Sequence, residues 1–179
     1  RGTQTLFIVA GIPIVHHAPA LVRLAERVNH RYGTDLRDRW SATPIAHERT
    51  RFLELLLDWQ SARAGRQAAL LSGDVHAGGA FRVTRTSGPG VVHQWTSSPL
   101  STKAALPEHL ANVVGSRLVN WGEDRYHSTR TALVRANNFG LVQVTPVSTG
   151  GHRIELCLYE FKPGRGIRVA AQVASLPSA

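Results

Sequence analysis

Leu70-Leu71-Ser72-Gly73-Asp74-Val75-His76 is the stretch on which the reading of this chain turns. With Ala68-Ala69 before it, it begins as a continuous apolar run that follows a helix-like segment. That order is the pattern of a strand covered on both faces, as in an α/β layer. Open α/β sheets place their ligands at the carboxyl edge of such strands, and Gly73 permits a sharp turn there. In extended geometry Asp74 and His76, two positions apart, point the same way. A hard carboxylate and an imidazole aimed at one point suit a divalent or trivalent metal. A catalytic base pair and a hydrogen-bonded structural turn are the alternatives these residues leave open. Gly78-Gly79, just beyond, would let backbone approach the site closely.

Upstream, a helix is expected from about Ile45 to Ala64, closed by Gly65. Phe52, Leu55, Leu56 and Trp59 recur at helical spacing and form the expected inner stripe, with Arg49, Arg51, Glu54 and Asp58 on the other faces. Thr5–Gly11 reads as a buried strand stopped by Gly11 and Pro13. From Pro19 to about Tyr32, Leu21, Leu24, Ala25 and Val28 keep helical spacing. The polar segment Gly33–Pro44, with Asp35, Asp38 and Trp40, reads as a surface connection lying over the neighbouring helix.

After His76 the character changes. Strands are expected at Ala80–Thr86, Val91–Thr96, Thr131–Arg135, Leu141–Val147, Arg153–Phe161 and Ile167–Val173, punctuated by Gly and Pro. One helix intervenes from about Lys103 to Leu118, with Leu110, Val113, Val114 and Leu118 on its inner side. The fold class is α/β in a single domain over residues 1–179, with a helix-and-strand first part and a β-rich second part.

Leu71-Ser72-Gly73-Asp74-Val75-His76 resembles the last metal-site motif of the alkaline-phosphatase-D-like (PhoD-like) metallophosphatases, within the calcineurin-like metallophosphoesterase superfamily. It stands where related phosphoesterases carry Gly-His-x-His. Asp38-Arg39-Trp40 followed by Glu48-Arg49, Thr96-Ser97-Ser98-Pro99-Leu100-Ser101 and Asn137-Asn138-Phe139-Gly140-Leu141-Val142 are similar to flanking segments of the family in order and spacing. The resemblance covers nearly the whole chain and corresponds to the carboxyl-terminal half of the family's domain. It implies a four-layer α/β/β/α sandwich and hydrolysis of phosphomonoesters or phosphodiesters at a bimetal centre of calcium, iron, manganese or zinc. It also implies that His76 is a metal ligand, that Asp74 is a ligand or a close support to one, and that the bacterial parent protein is exported or periplasmic. The family's first-half motifs, including Gly-Asp-x-x-Tyr, do not occur here. Since the chain opens on Arg1 and has no methionine, it reads as a processed product or a piece of a longer polypeptide. Its partners are then a phosphoester substrate and the missing amino-terminal half, with self-association as the alternative.

The 179 residues carry a net charge of +9, and Lys103 and Lys162 are the only lysines. Such a balance favours anionic partners, yet the arginines are scattered without aromatic interleaving, which argues against nucleic acid. No run is long and apolar enough for a membrane-spanning helix. Cys157, the single cysteine, excludes an internal disulfide and a multi-cysteine zinc module. It reads as an inert strand thiol.

His16-His17 falls on a strand-to-helix loop and is expected to be a solvent-exposed pair, with reach into an active site as the alternative. His93 reads as a satisfied sheet histidine with a site-edge role as the alternative; His47 and His127 read as surface residues. Thr96-Ser97-Ser98 could offer hydroxyls to phosphate but lacks the Gly-x-Ser-x-Gly elbow of a serine hydrolase. Asn137-Asn138 reads as a turn with Gly140, and Arg82 as one arginine able to bind phosphate oxygens. Neither nucleotide-cradle motif occurs. Three functions remain: part of a metal-dependent phosphoesterase, a non-catalytic remnant or folding unit of one, and a basic polyanion-binding module.

Overall fold

The apolar run ending at Ser72 forms β2 (Gln67–Ser72), with parallel β1 (Thr5–Ala10) on one side and parallel β4 (Val91–Thr96) on the other. The computed structural model describes residues 3–28, 39–101, 106–117, 125–148 and 151–175. Antiparallel β3 (Gly78–Arg85) and β5 (Tyr126–Val134) complete a five-stranded sheet of order β1-β2-β4-β3-β5. Between β1 and β2 run α1 (Pro19–Val28), a 3-10 turn (Thr43–Ile45) and α2 (Ala46–Ser61); α3 (Leu106–Gly115) lies between β4 and β5. The chain ends in an antiparallel three-stranded sheet of β6 (Asn137–Pro146), β7 (His152–Lys162) and β8 (Gly166–Ser175). The expected order of a helix-and-strand part followed by a β-rich part is thus present.

Strand alternation gives β2 its two coverings. Ala68 and Leu70 join Leu53, Leu56, Leu57 and Val92 in a core on the α2 side. Ala69, on the opposite face, joins Ala80, Trp95, Ile154, Leu156 and Leu158 in a core shared with the three-stranded sheet. β1 is an edge strand rather than a fully buried one. Val9 is 80% exposed, and among the described residues β1 pairs only with β2.

The inner stripe of α2 is turned one position from the one expected. Arg49, Leu53, Leu56, Leu57 and Gln60 are buried, Phe52 and Trp59 flank the core half-buried, and Leu55 is 60% exposed. One residue is about 100° of helix rotation, and polar anchors choose between the two settings. Gln60 accepts from the Val91 amide and donates to the Arg66 carbonyl, while Arg49 donates to the Ile14 carbonyl. Arg85 clamps the solvent side through Glu54 and Asp58, at 2.7 and 2.6 Å. Gly65, at φ +80°, takes the left-handed turn that leads from the helix into β2. Trp40 lies over α2 as expected, stacked on Phe52 at 5.8 Å.

Two other stripes also differ. In α1 Val22 is buried while Leu24 is 50% exposed. In α3 Leu110 and Val114 face outward, and Asn112, Gly115 and Ser116 face in. Asp35 and Asp38, the expected helical turn up to Tyr32, Lys103, Leu118 and the Val28 side chain lie outside the described residues.

The rotated stripe has a direct check in urea unfolding. Leu57→Ala should cost about 2–5 kcal/mol and Leu55→Ala less than about 0.5 kcal/mol. The reverse ranking would restore the other helix setting.

Candidate functional site

Three parallel strands deliver their carboxyl ends to one edge of the five-stranded sheet, and the ladders continue just past them. The Gly73 amide donates to the Gly11 carbonyl at 3.3 Å, and the Ser97 amide to the Ser72 carbonyl at 3.0 Å. Beyond Gly73 the chain leaves extended geometry. Asp74 and His76 adopt φ +53° and +50°, so the expectation that extended spacing aims both side chains one way does not apply. Asp74 is exposed and His76 half-buried, with the Val75 side chain packed inside between them. Nor is Gly73 the left-handed residue; a Cβ there would meet Ser97 O at an ordinary 3.5 Å.

Left-handed backbone at two non-glycine residues costs on the order of 1–3 kcal/mol each and persists only where the surroundings impose it. Here they do so through the loop carbonyls. Arg39 Nη1 donates to Asp74 O at 2.8 Å, and Asn112 Nδ2 donates to Val75 O at 2.6 Å.

Asn112 also settles the fate of His16 and His17. Both are buried, at 2% and 7% exposure, and not the solvent-facing pair expected. With the Asn112 amide nitrogen committed to Val75 O, its Oδ1 accepts from His16 Nε2 at 3.1 Å and His17 Nε2 at 3.0 Å. Both rings are therefore the neutral Nε2–H tautomer, and they meet edge to face at 4.6 Å. Gly115 makes room for this contact, since a Cβ there would lie 2.9 Å from His17 Cδ2. Burial pushes His16 well down, helped by His17, and holds His17 at about 4, helped by Arg39. His16 Nδ1 is buried with no hydrogen-bond partner among the described residues.

The flanking segments serve as architecture. Ser72 Oγ and Thr96 Oγ1 bond each other at 2.9 Å. Asn138 opens β6 rather than forming a turn. Its amide group bonds Ser97 Oγ, Ser98 N, Ser98 O and Ala136 O, latching the segment after β4 against the start of β6. A Cβ at Gly78 would lie 2.6 Å from Asn138 Oδ1, so the glycine admits this latch. His93 lies on β4 opposite Arg82, far along the strand from this edge. Sequence reasoning missed Asn112 and Arg39 as site builders; a lone amide within the apolar Leu110–Val114 run was the available signal.

The buried histidines set a pH dependence with a definite sign. Protonation is harder in the folded chain, so the stabilisation is complete above the unfolded value near 6.5. It is lost as pH falls toward about 4 for His17, with His93, also lowered to about 4, adding in the same window. For His17 the loss is on the order of 3 kcal/mol. Urea midpoints measured across that window should fall with pH, and His17→Gln should flatten the fall.

Comparison with known protein families, curated proteins and solved structures gives no match, and the chemistry of this edge rests on the residues just described.

Proposed function

We propose that this chain carries the carboxyl-terminal part of a metal-dependent hydrolase of phosphomonoesters or phosphodiesters, related to the PhoD-like metallophosphatases. Asp74 and His76 are its contribution to a bimetal centre. The observation that carries the reading is the Gly73–His76 loop. It stands at the carboxyl edge of the sheet, where α/β folds bind ligands, and its strained backbone is pinned by hydrogen bonds to two successive carbonyls. The four-layer sandwich is supported by the outer face of the three-stranded sheet. Phe139, Leu141, Phe161, Ile167 and Val169 are exposed there, as suits a sheet meant to carry a further helical layer.

The donors fit such a centre only in part. Among the described residues no group of three or more His, Cys, Asp or Glu side chains could hold an ion. A carboxylate and an imidazole suit calcium, iron, manganese or zinc, but the remaining ligands must come from polypeptide that supplies the family's first-half motifs. Once bound, the metals would supply an activated water and offset charge on the phosphate oxygens. This chain's own part is to fix the direction of Asp74 and His76. Arg39, beside the same loop, adds positive potential for an anionic substrate. The partner half would meet the edge of β1 away from β2, where no strand of the described residues pairs.

A non-catalytic folding unit is the second reading. It is favoured by the commitment of His16 and His17 Nε2 to Asn112, which spends two nearby imidazoles on structure. A basic polyanion-binding module has less support, because Arg39, Arg49, Arg85 and Arg168 are engaged with carbonyls or carboxylates of the chain itself.

The two leading readings separate in one assay of an activated phosphodiester with calcium, iron, manganese and zinc in turn. Residues 1–179 alone should show little turnover. The longer polypeptide should be active and lose at least about a hundredfold on His76→Ala. Equal turnover by the short chain would overturn the half-site reading, and an inactive long form would favour the folding unit.

A further inference from the structure

At the opposite edge of the five-stranded sheet, where β2 and β4 begin, a cavity of about 270 Å³ opens between α2, the sheet and the end of β8. Gln60, Arg66, Gln67, Arg82, His93 and Ser175 supply its polar lining, and among the described residues no carboxylate lines it. The glutamines are already occupied. Gln60 bridges Val91 N and Arg66 O, and Gln67 accepts from Ser175 Oγ while donating to His152 O. Their role is to hold the walls, joining α2, β2, β7 and β8 around the opening.

The cationic groups are not used up in this way. Arg66 stacks its guanidinium over Trp59 at 4.8 Å and donates Nη1 to Trp59 O at 2.9 Å, which leaves Nη2 without a partner among the described residues. Arg82 is exposed and has no ion pair among the described residues. Two guanidinium groups at one opening, with no carboxylate of the described residues between them, repel each other, and a bound anion removes that cost. His93 points from β4 into the same space. Burial, and then Arg82, lower it to about 4, so its ring is neutral at pH 7 and carries one N–H donor.

We propose that this cavity binds a small molecule bearing an oxyanion, phosphate or carboxylate, gripped by Arg66, Arg82 and His93. Guanidinium groups match both head groups through paired N–H donors, and the neutral imidazole adds a third direction. The volume lies just below the roughly 300 Å³ at which small-molecule sites begin. It admits a head group with a short organic body. The site is independent of the metal-centre reading, since it shares no residue with the Asp74–His76 edge and needs no metal.

The test is a titration of the chain with inorganic phosphate and, separately, succinate, following the His93 ring resonances by NMR. Ionic strength is held constant with chloride. A saturable shift of His93 is expected, with affinity weakened about tenfold by Arg82→Gln and unchanged by His76→Ala. Arg66→Lys, which keeps the charge but loses the fork, should weaken binding by a smaller factor. Whichever of phosphate and succinate binds more tightly names the head group. The proposal is overturned if neither anion gives a saturable shift, if chloride alone reproduces it, or if Arg82→Gln binds like the parent with its near-ultraviolet circular dichroism intact.

Discussion

The side-chain amide of Asn112 ties together three stretches that are distant in sequence. Its nitrogen holds the Val75 carbonyl in the loop after β2, and its oxygen takes N–H donors from His16 and His17 in the loop after β1. All these groups are buried, so the amide removes polar costs that each loop would otherwise carry alone. Replacing only one partner would leave donors or acceptors stranded, the more expensive direction of change. The packing of α3 follows from the same knot. Gly115 lets the helix approach His17 closely enough for Asn112 to reach both rings.

Arginine performs a comparable task at longer range. Arg39, Arg49, Arg66 and Arg130 each donate to a backbone carbonyl at a loop or helix end: Asp74, Ile14, Trp59 and Val113 respectively. Lysine would serve poorly there, because a compact, strongly hydrated ammonium lacks the flat fork that satisfies a carbonyl while packing against its neighbours. Part of the charge of +9 is therefore structural, spent on fixing loops around the sheet. This gives a physical reason for an arginine-rich, lysine-poor chain in addition to any compositional bias.

Much of the fold was legible in the sequence, because strands advertise themselves through period-two alternation and through turn residues. Val91–Thr96 matches β4, and most other downstream strands differ at their ends, but the first half of β5, from Tyr126 to Arg130, was not foreseen. Helix faces were harder. Phe52, Leu55, Leu56 and Trp59 form as good a stripe as Leu53, Leu56, Leu57 and Gln60, and polar anchors choose between them; hydrophobicity does not. The candidate site was legible as a location and not as a geometry. Gly73-Asp74-Val75-His76 follows the carboxyl end of β2, but left-handed backbone at Asp74 and His76 depends on Arg39 and Asn112, which lie far away in sequence. His16-His17 looked exposed because its burial depends on a glycine and an amide in α3.

Cys157 sits at the centre of β7 on the face of the three-stranded sheet that points away from the first sheet, yet it is only 6% exposed. Leu141 on β6 and Gln172 on β8 are its cross-strand neighbours on that face. An alkylating reagent therefore reaches the sulfur on local opening, as when a flanking strand peels away. Because no other thiol exists in the chain, modification kinetics would report that peeling alone, without contribution from the five-stranded sheet. The chain thus contains a built-in clock for local opening of its second sheet, separable from global unfolding whenever the two sheets differ in stability.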